Sequence, residues 1–459
     1  MVTVLKLSSQ EVKKTSMETN EVNTEAATKP VGFWEAFWFW VKLGFINFGG
    51  PAGQIAIMHR ELVERKRWVS EQQYLRTLNF CMLLPGPEAQ QVATYIGWRL
   101  HGTLGGIVAG AFFVIPSIFV LLLLSYLAVA HSDVPAINGL LYGVQPVVIA
   151  IVVEAVLRIG KRTLNHSLLV AFAVLAFVAL YFFSVPFPLV VLAAAIGGLL
   201  LSRWVPDAFR GGGHGSSEEE ESAIDRAGSN GRPSMLRNLR LLGIFLILWA
   251  VPVGALYLWR GGDDVLVSEA LFFTGAAFLT FGGAYSVLSY VADVAVNGYG
   301  WLTADQMVQG LGLAESTPGP LIMVTQYVGF IGAWNDPGPF SPLLYGTLGA
   351  LITTYVTFLP CFLFIFFLAP YIELLANDRR LKAILIGVTA AVVGVIANLA
   401  VYFATHVLFP DGVTLEGLDI FALVVAVASF VVLQRFKTPI YLMVPVGAVL
   451  GMVWTLYLA

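Results

Sequence analysis

Apolar residues are gathered along the chain into about thirteen blocks, many of them about 16–25 residues long, with short polar loops between them. Blocks of that length predict membrane-spanning α-helices, not strands and not the helices of a soluble core. Two longer polar stretches interrupt the series. Residues 1–32 are polar and mixed in charge, and lack the apolar core of a signal peptide. Residues 205–240 include GGGHGSSEEEESAIDRAGSNGRPS, whose Gly, Ser and Glu content predicts a disordered linker. His214 belongs to that linker and is not read as a metal ligand.

The blocks on either side of the linker repeat one another. Phe48-Gly49-Gly50 recurs as Phe281-Gly282-Gly283, an offset of 282 − 49 = 233. Trp68 and Trp301 share that offset, and so do Pro85-Gly86-Pro87 and Pro318-Gly319-Pro320. The insertion WNDPGPFSP then lengthens the second copy. Beyond it Gly102-Thr103-Leu104-Gly105 recurs as Gly346-Thr347-Leu348-Gly349, at 346 − 102 = 244, with Pro116 matching Pro360 and Gly143 matching Gly387. The expected organisation is a tail (1–32), a first repeat (33–204), a linker (205–240), a connecting transmembrane helix (241–265) and a second repeat (266–459). Duplicated halves of this kind are a mark of secondary transporters.

Charge placement sets the orientation of the halves. The loop His59–Thr77 carries Arg60, Arg65, Lys66, Arg67 and Arg76, while its counterpart VADVAVNGYGWLTADQ has no Lys or Arg. The next two pairs alternate. AHSDVPAING has no basic residue and ELLANDRRLK has Arg379, Arg380 and Lys382; GKRTLNH has Lys161 and Arg162 and HVLFPDGVTLEGLD has none. Basic loops favour the cytoplasm, so the halves are expected to be inverted relative to each other, with tail and linker cytoplasmic. The overall composition, 58% hydrophobic and 12% charged, agrees with a membrane protein, and the net charge of −3 decides little beside this placement. Cys81 and Cys361 lie in apolar segments and read as buried free thiols.

Gly and Pro break the apolar blocks at matching places. Segment 33–58 is interrupted at Gly49-Gly50-Pro51 and segment 78–100 at Pro85-Gly86-Pro87. The counterparts are segments 266–291 and 309–333. Two readings stand: re-entrant pairs of half-helices, or full spans with kinks. Irregular backbone at membrane depth needs protein or a watery cavity around it, so four breaks point to one central site. A half-helix that begins after Pro51 or Pro87 presents unpaired N–H groups and the positive end of its dipole at that depth. Proline suits the first turn and glycine permits close approach. Such ends bind phosphate- and sulfate-like anions. The candidate binding residues are therefore Gly49, Gly50, Gly53, Gln54, Pro85, Gly86, Pro87, Glu88, Gln90, Gln91, Gly282, Gly283, Thr317, Pro318, Gly319, Pro320 and Gln326, with Ser316 as a further hydroxyl.

Single charges are weaker signals. Lys42 lies seven residues from Glu35 on one face of the first segment; it either belongs to the pathway or pairs and snorkels. Glu88 either carries a proton or caps its helix, and Leu321 stands at its repeat position. Glu154 matches Asn398 and reads as a structural polar contact. The histidines show no metal-ligand spacing, and there is no phosphate loop, zinc-protease motif or nucleophile elbow. No catalytic residue, metal or cofactor is expected, and no nucleic acid partner.

The stretch FGGPAGQIAIMHRELVERKRWVSEQQYLRTLNFCMLLPGPEAQQVATYIGW resembles the signature region of the chromate ion transporter family. FGGAYSVLSYV and GLAESTPGPLIMVTQYVGF resemble its second copy. The resemblance runs from about Phe33 to the C-terminus and matches the long two-domain form of the family. It implies a multi-pass protein of the bacterial inner membrane that exports chromate and confers chromate resistance. The copies differ, Pro51 becoming Ala284 and Glu88 becoming Leu321. The residues alone imply an anion; the resemblance implies chromate. Moving one charge through 100 mV is worth about 2.3 kcal/mol, so a dianion leaving an inside-negative cell gains about 4.6 kcal/mol. The expectation is alternating-access efflux of a tetrahedral oxyanion. The alternatives are an uptake permease for sulfate or another oxyanion, a membrane-embedded enzyme, and a channel. A homodimer stays open, although inverted halves in one chain build the pocket without one.

Overall fold

Unbroken apolar blocks form single long helices, and blocks interrupted by Gly and Pro form pairs of shorter ones. The computed structural model of the chain describes residues 31–209 and 234–458, apart from 373, 374, 376, 377 and 415. Nearly all of the tail, and the part of the linker that holds His214, lie outside the described residues, as does part of the ELLANDRRLK loop. The first repeat holds α1 (Phe33–Ile46), α2 (Gly50–His59), α3 (Glu71–Cys81), α4 (Glu88–Phe112), α5 (Ile115–Ala130), α6 (Pro135–Thr163), α7 (Ser167–Phe183) and α8 (Phe187–Leu201). A connecting helix, α9 (Met235–Arg260), follows. The second repeat holds α10 (Val265–Leu279), α11 (Ala284–Ala292), α12 (Ala304–Ser316), α13 (Val324–Asn335), α14 (Pro342–Leu368), α15 (Arg379–Leu408), α16 (Ile420–Phe436) and α17 (Ile440–Tyr457). The chain is an all-α polytopic membrane protein, with no strand among the described residues.

The duplication reaches individual backbone torsions. Gly49, Gly50 and Gly86 have φ of 92°, 65° and 119°, and Gly282, Gly283 and Gly319 have 76°, 96° and 108°. A π-helical turn follows α2 at Arg60–Arg65 and α11 at Asp293–Gly298. Ser70 caps α3 by accepting from the Gln73 amide, and Thr303 caps α12 by accepting from that of Gln306. Ser184 and Lys437, with φ of 49° and 52°, close α7 and α16.

Side-chain contacts decide between re-entrant and straight segments. Lys66 Nζ lies 3.2 Å from Glu35 Oε1. A continuous helix across those 31 residues would hold them about 46 Å apart. The Trp68 ring sits 5.0 Å from that of Phe39. So α1 and α2 form a hairpin with both ends on one face. Phe273 and Trp301, 6.0 Å apart, close the matching α10–α11 hairpin. The α3–α4 hairpin returns to the first face, where His101 Nε2 meets the Val31 carbonyl at 2.9 Å. There α4 breaks, with φ, ψ of −137°, 29° at His101 and 63°, −158° at Gly102.

From Gly102 the chain crosses. It passes Gly44 at Phe112 and Gly319 at Ser117, and Tyr126 reaches Trp334 with ring centres 6.0 Å apart. Helix α14 makes the opposite journey. It starts where Tyr345 donates to Asp264 at 2.6 Å, passes Gly86 at Cys361, and ends where the Phe366 carbonyl accepts from Arg237 at 3.1 Å. The hairpins of the two repeats therefore open on opposite faces. Each repeat crosses four times, which returns the chain to its starting face. The single extra crossing of α9, exposed on nearly every side, is what inverts the second repeat. All described Arg and Lys side chains except Lys42 and Arg260 lie toward the face where α1 begins, which we call the basic face. Among the described residues the far face has Arg260 alone, bound to Asp264 at 3.0 Å.

The C-terminal helix pairs are exchanged between repeats. Helices α16 and α17 pack on α6, while α7 and α8 pack on α15. Glycines allow the close crossings: a Cβ on Gly143 would meet Gly451 Cα at 2.7 Å, and one on Gly387 would meet Gly198 Cα at 3.0 Å.

Candidate functional site

Four helix breaks meet at membrane depth, and backbone bonds lock them together across the repeats. The Gly86 amide donates to the Thr280 carbonyl at 2.8 Å, and the Gly319 amide donates to the Asn47 carbonyl at 2.9 Å. Both bonds need the left-handed glycine conformation, which turns the peptide toward the opposite hairpin. Pro85, Gly86, Pro87 and Thr317 to Pro320 are all buried there. Helix α2 begins at Gly50 with Pro51 in its first turn, α11 begins after Gly283, and α4 begins at Glu88. The fourth end departs from expectation. After Pro320 a 3-10 turn, Leu321–Met323, precedes α13. Beyond it Gly329 answers Gly97, an offset of 329 − 97 = 232, so the second copy is one residue shorter here and its helix starts late.

The amides and hydroxyls expected to line the site mostly hold backbone. Gln54 donates to the carbonyls of Gly319 and Asn47, and Gln91 donates to that of Pro85 at 2.7 Å. Gln326 donates to the Ile118 carbonyl at 2.9 Å and accepts from Thr354 at 3.2 Å. Ser316 and Thr317 bond back to the Leu313 and Ala314 carbonyls. Gln90 is fully buried with neither amide atom partnered, but it faces Gly110 and not the breaks. Gly53 lies against the Phe48 carbonyl, which a Cβ there would meet at 2.9 Å.

Lys42 and Glu35 do not form the pair their spacing suggests. Glu35 is held by Lys66, which also lies 4.4 Å above the Trp68 ring. Lys42 is exposed on the α1 face that carries Trp38 and Phe45, away from the helix breaks. An exposed lysine on such an apolar face can lay its stem along the surface and snorkel. Glu154 pairs with Arg158 at 3.5 Å on α6, as a structural contact does.

Carboxylates stand at the glycine ends instead. A Cβ on Gly283 would lie 3.5 Å from Glu88 Oε1, and one on Gly50 would lie 3.5 Å from Glu315 Oε2. Each acid belongs to the repeat opposite its glycine. Leu321 occupies the repeat position of Glu88, yet Glu315, three residues before Pro318, restores the arrangement from the other side of Pro-Gly-Pro. Sequence reasoning missed Glu315. The available signal was an acid near the end of an apolar segment, beside the same tripeptide as Glu88. Tyr285 donates its hydroxyl to Glu315 Oε1. From α6, the charges of Arg158 and Arg162 act on Glu315 and Glu88 respectively. Toward the far face, the crevice between Thr280, Thr325 and Thr357 is too tight to admit a water molecule. No group of three His, Cys, Asp or Glu among the described residues could hold a metal.

The family model described as chromate transporter matches residues 34–199 and 268–452, one match per repeat. The chain belongs to the chromate transporter family. Among relatives of this family member, the chromate transport protein of Pseudomonas aeruginosa is 32% identical over 397 residues, covering 84% of this chain and 85% of the relative. The chromate transport protein of Cupriavidus metallidurans is 27% identical and covers 90% of each chain. The probable chromate transport protein of Synechococcus elongatus is 26% identical, covering 91% of this chain and 94% of its own. No solved structure matches. Family membership makes this chain a transporter, and the convergence of its helix breaks gives the transporter a centre.

Proposed function

We propose that this transporter moves chromate, or a tetrahedral oxyanion of like charge, from the basic face to the far face, and so exports it from the cell. The carrying observation is the meeting of the α2 and α11 amino ends at Gly50 and Gly283, each faced by a carboxylate. Ends that attract protein carboxylates have the polarity to hold an oxyanion. The excess of Arg and Lys supports reading the basic face as cytoplasmic, with tail and linker inside. Arg158 and Arg162 then draw anions from the cytoplasm toward the carboxylates. The membrane is the inner membrane, and the voltage across it drives a dianion outward.

The exchanged helix pairs tie the repeats into one scaffold, so alternating access belongs to the hairpins α1–α4 and α10–α13 moving against α6 and α15. The closed crevice at Thr280, Thr325 and Thr357 is the far gate. The test is chromate flux in everted vesicles, with and without the protein, under an imposed voltage. Saturable accumulation that follows the voltage supports voltage-driven efflux. Flux of sulfate without chromate would transfer the site to a different oxyanion. No flux of either would refute the assignment. Recovery of reduced chromium instead of chromate would favour an enzyme.

A further inference from the structure

We propose that Glu315 is a built-in competitor for the transported anion: its carboxylate stands beside the anion position at the amino end of α2 and blocks it, and protonation releases it. The inference deepens the oxyanion-transport reading and rests on it.

The geometry has three parts. Glu315 is 2% exposed, and its Oε2 has no hydrogen-bond partner although Oε1 is held by Tyr285. That unpartnered oxygen is aimed at Gly50, where α2 begins a run of ten residues, and stands 3.5 Å from the place a Cβ would take. The first N–H groups of a helix have no intrahelical acceptor, so an oxygen lodged there is attracted whether it belongs to a carboxylate or to an oxyanion. Gly50 has φ of 65° and no side chain, so it places no side chain of its own between helix and carboxylate.

The ionisable groups acting on Glu315 are few. Tyr285 comes from α11, and Arg158 and Glu154 come from α6; α2 brings backbone only. Arg158 and Glu154 pair with each other, so Arg158 is partly neutralised. A dianion entering beside an ionised Glu315 meets a like charge at close range with little water between. The two states exclude each other. Binding therefore proceeds by one proton adding to the Glu315 carboxylate, the neutral acid leaving the α2 end, and the oxyanion taking its place. On release the acid returns its proton and the carboxylate reoccupies the end. Tyr285 is a positioning residue for the carboxylate.

The experiment measures apparent affinity for chromate in vesicles across the alkaline range, where chromate itself is fully a dianion. One linked proton predicts that the wild-type affinity falls by up to about tenfold per pH unit. Glu315→Gln should bind chromate more tightly and without that pH dependence. Tyr285→Phe should tighten binding less and keep the dependence. Weaker binding in Glu315→Gln with the pH dependence intact would overturn the proposal, and so would a wild-type affinity indifferent to pH. Should Glu315→Gln fail to insert, the proposal stands or falls on the wild-type profile and Tyr285→Phe, which overturns it by binding as wild type. Absence of wild-type flux at every pH would instead sink the transport reading itself.

Discussion

The two repeats share a backbone and differ in where they keep their charge. Both turn at paired glycines, both carry a π-helical turn, and both donate a glycine amide to the other's broken helix. Yet the first repeat places Glu88 after Pro-Gly-Pro and the second places Glu315 before it. At other positions only one copy is charged. Glu269 is completely buried with neither carboxylate oxygen partnered, where the first repeat has Ala36. Arg158 matches Tyr402, and Arg162 matches His406. The lesson is that the glycine turns are common to both copies, while the charges around them are not, so on the efflux proposal a preferred direction has to come from what was not copied. A symmetric frame can hold an anion midway; the departures from symmetry, unequal charges among them, are what can tell one face from the other.

The largest effect is expected where the copies agree. Gly86 and Gly319 have positive φ, and added Cβ atoms would meet Cys361 Sγ at 2.9 Å and Ser117 Cβ at 2.7 Å. Gly86→Leu and Gly319→Leu should both reduce flux to background while the protein still inserts, measured as vesicle flux against membrane protein level. Transport surviving in one variant would show that the two breaks are not equivalent. Next come the crossings of the exchanged helices. Gly143→Leu and Gly387→Leu should each destabilise the fold by about 1–3 kcal/mol, read as a lower midpoint of thermal unfolding in detergent. A drop in one alone would mean that the exchange matters in only one direction.

Smaller effects should follow the uncopied charges. Arg158→Gln should slow chromate entry roughly threefold to tenfold at low salt and less at high salt. Tyr402→Phe, at the matching place, should leave the rate unchanged; equal losses would remove Arg158 as a source of direction. The smallest effect belongs to Lys42. Its exposed place on α1 predicts that Lys42→Ala transports within about twofold of Lys161→Ala and of wild type. A tenfold loss would return Lys42 to the pathway.

Much of the architecture was legible because Gly, Pro and basic loops act locally. Gly49-Gly50 and Pro85-Gly86-Pro87 stop helices by their own torsions, and Arg60 to Arg67 mark a face without help from distant residues. The site was legible only in outline. Gln54 and Gln91 are polar residues near the breaks, but whether an amide faces a ligand or ties down Gly319 and Pro85 depends on another hairpin. Glu35 lies seven residues from Lys42, which suggests a pair; the turn at Gly49 brings Lys66 to it instead. Glu315 was hidden because its partner, Gly50, is far away in sequence and belongs to the other copy. The exchange of helix pairs left no local trace either, since Gly143 and Gly447 look like ordinary small residues until they touch.

That exchange also bears on how the protein is made. As the ribosome finishes α7 and α8, the surface they are meant to cover, on α15, has not been synthesised. The pair must wait in the bilayer until nearly all of the second repeat has emerged, and α6 waits longer still for α16 and α17. Neither half holds by itself all the surfaces its helices pack on. Genes cut within the linker should yield an active protein only when both fragments are made in the same cell, and each fragment by itself should be cleared by membrane proteases. A quality-control system that monitors unfinished helices would therefore recognise a truncated product long before any loss of transport could be felt.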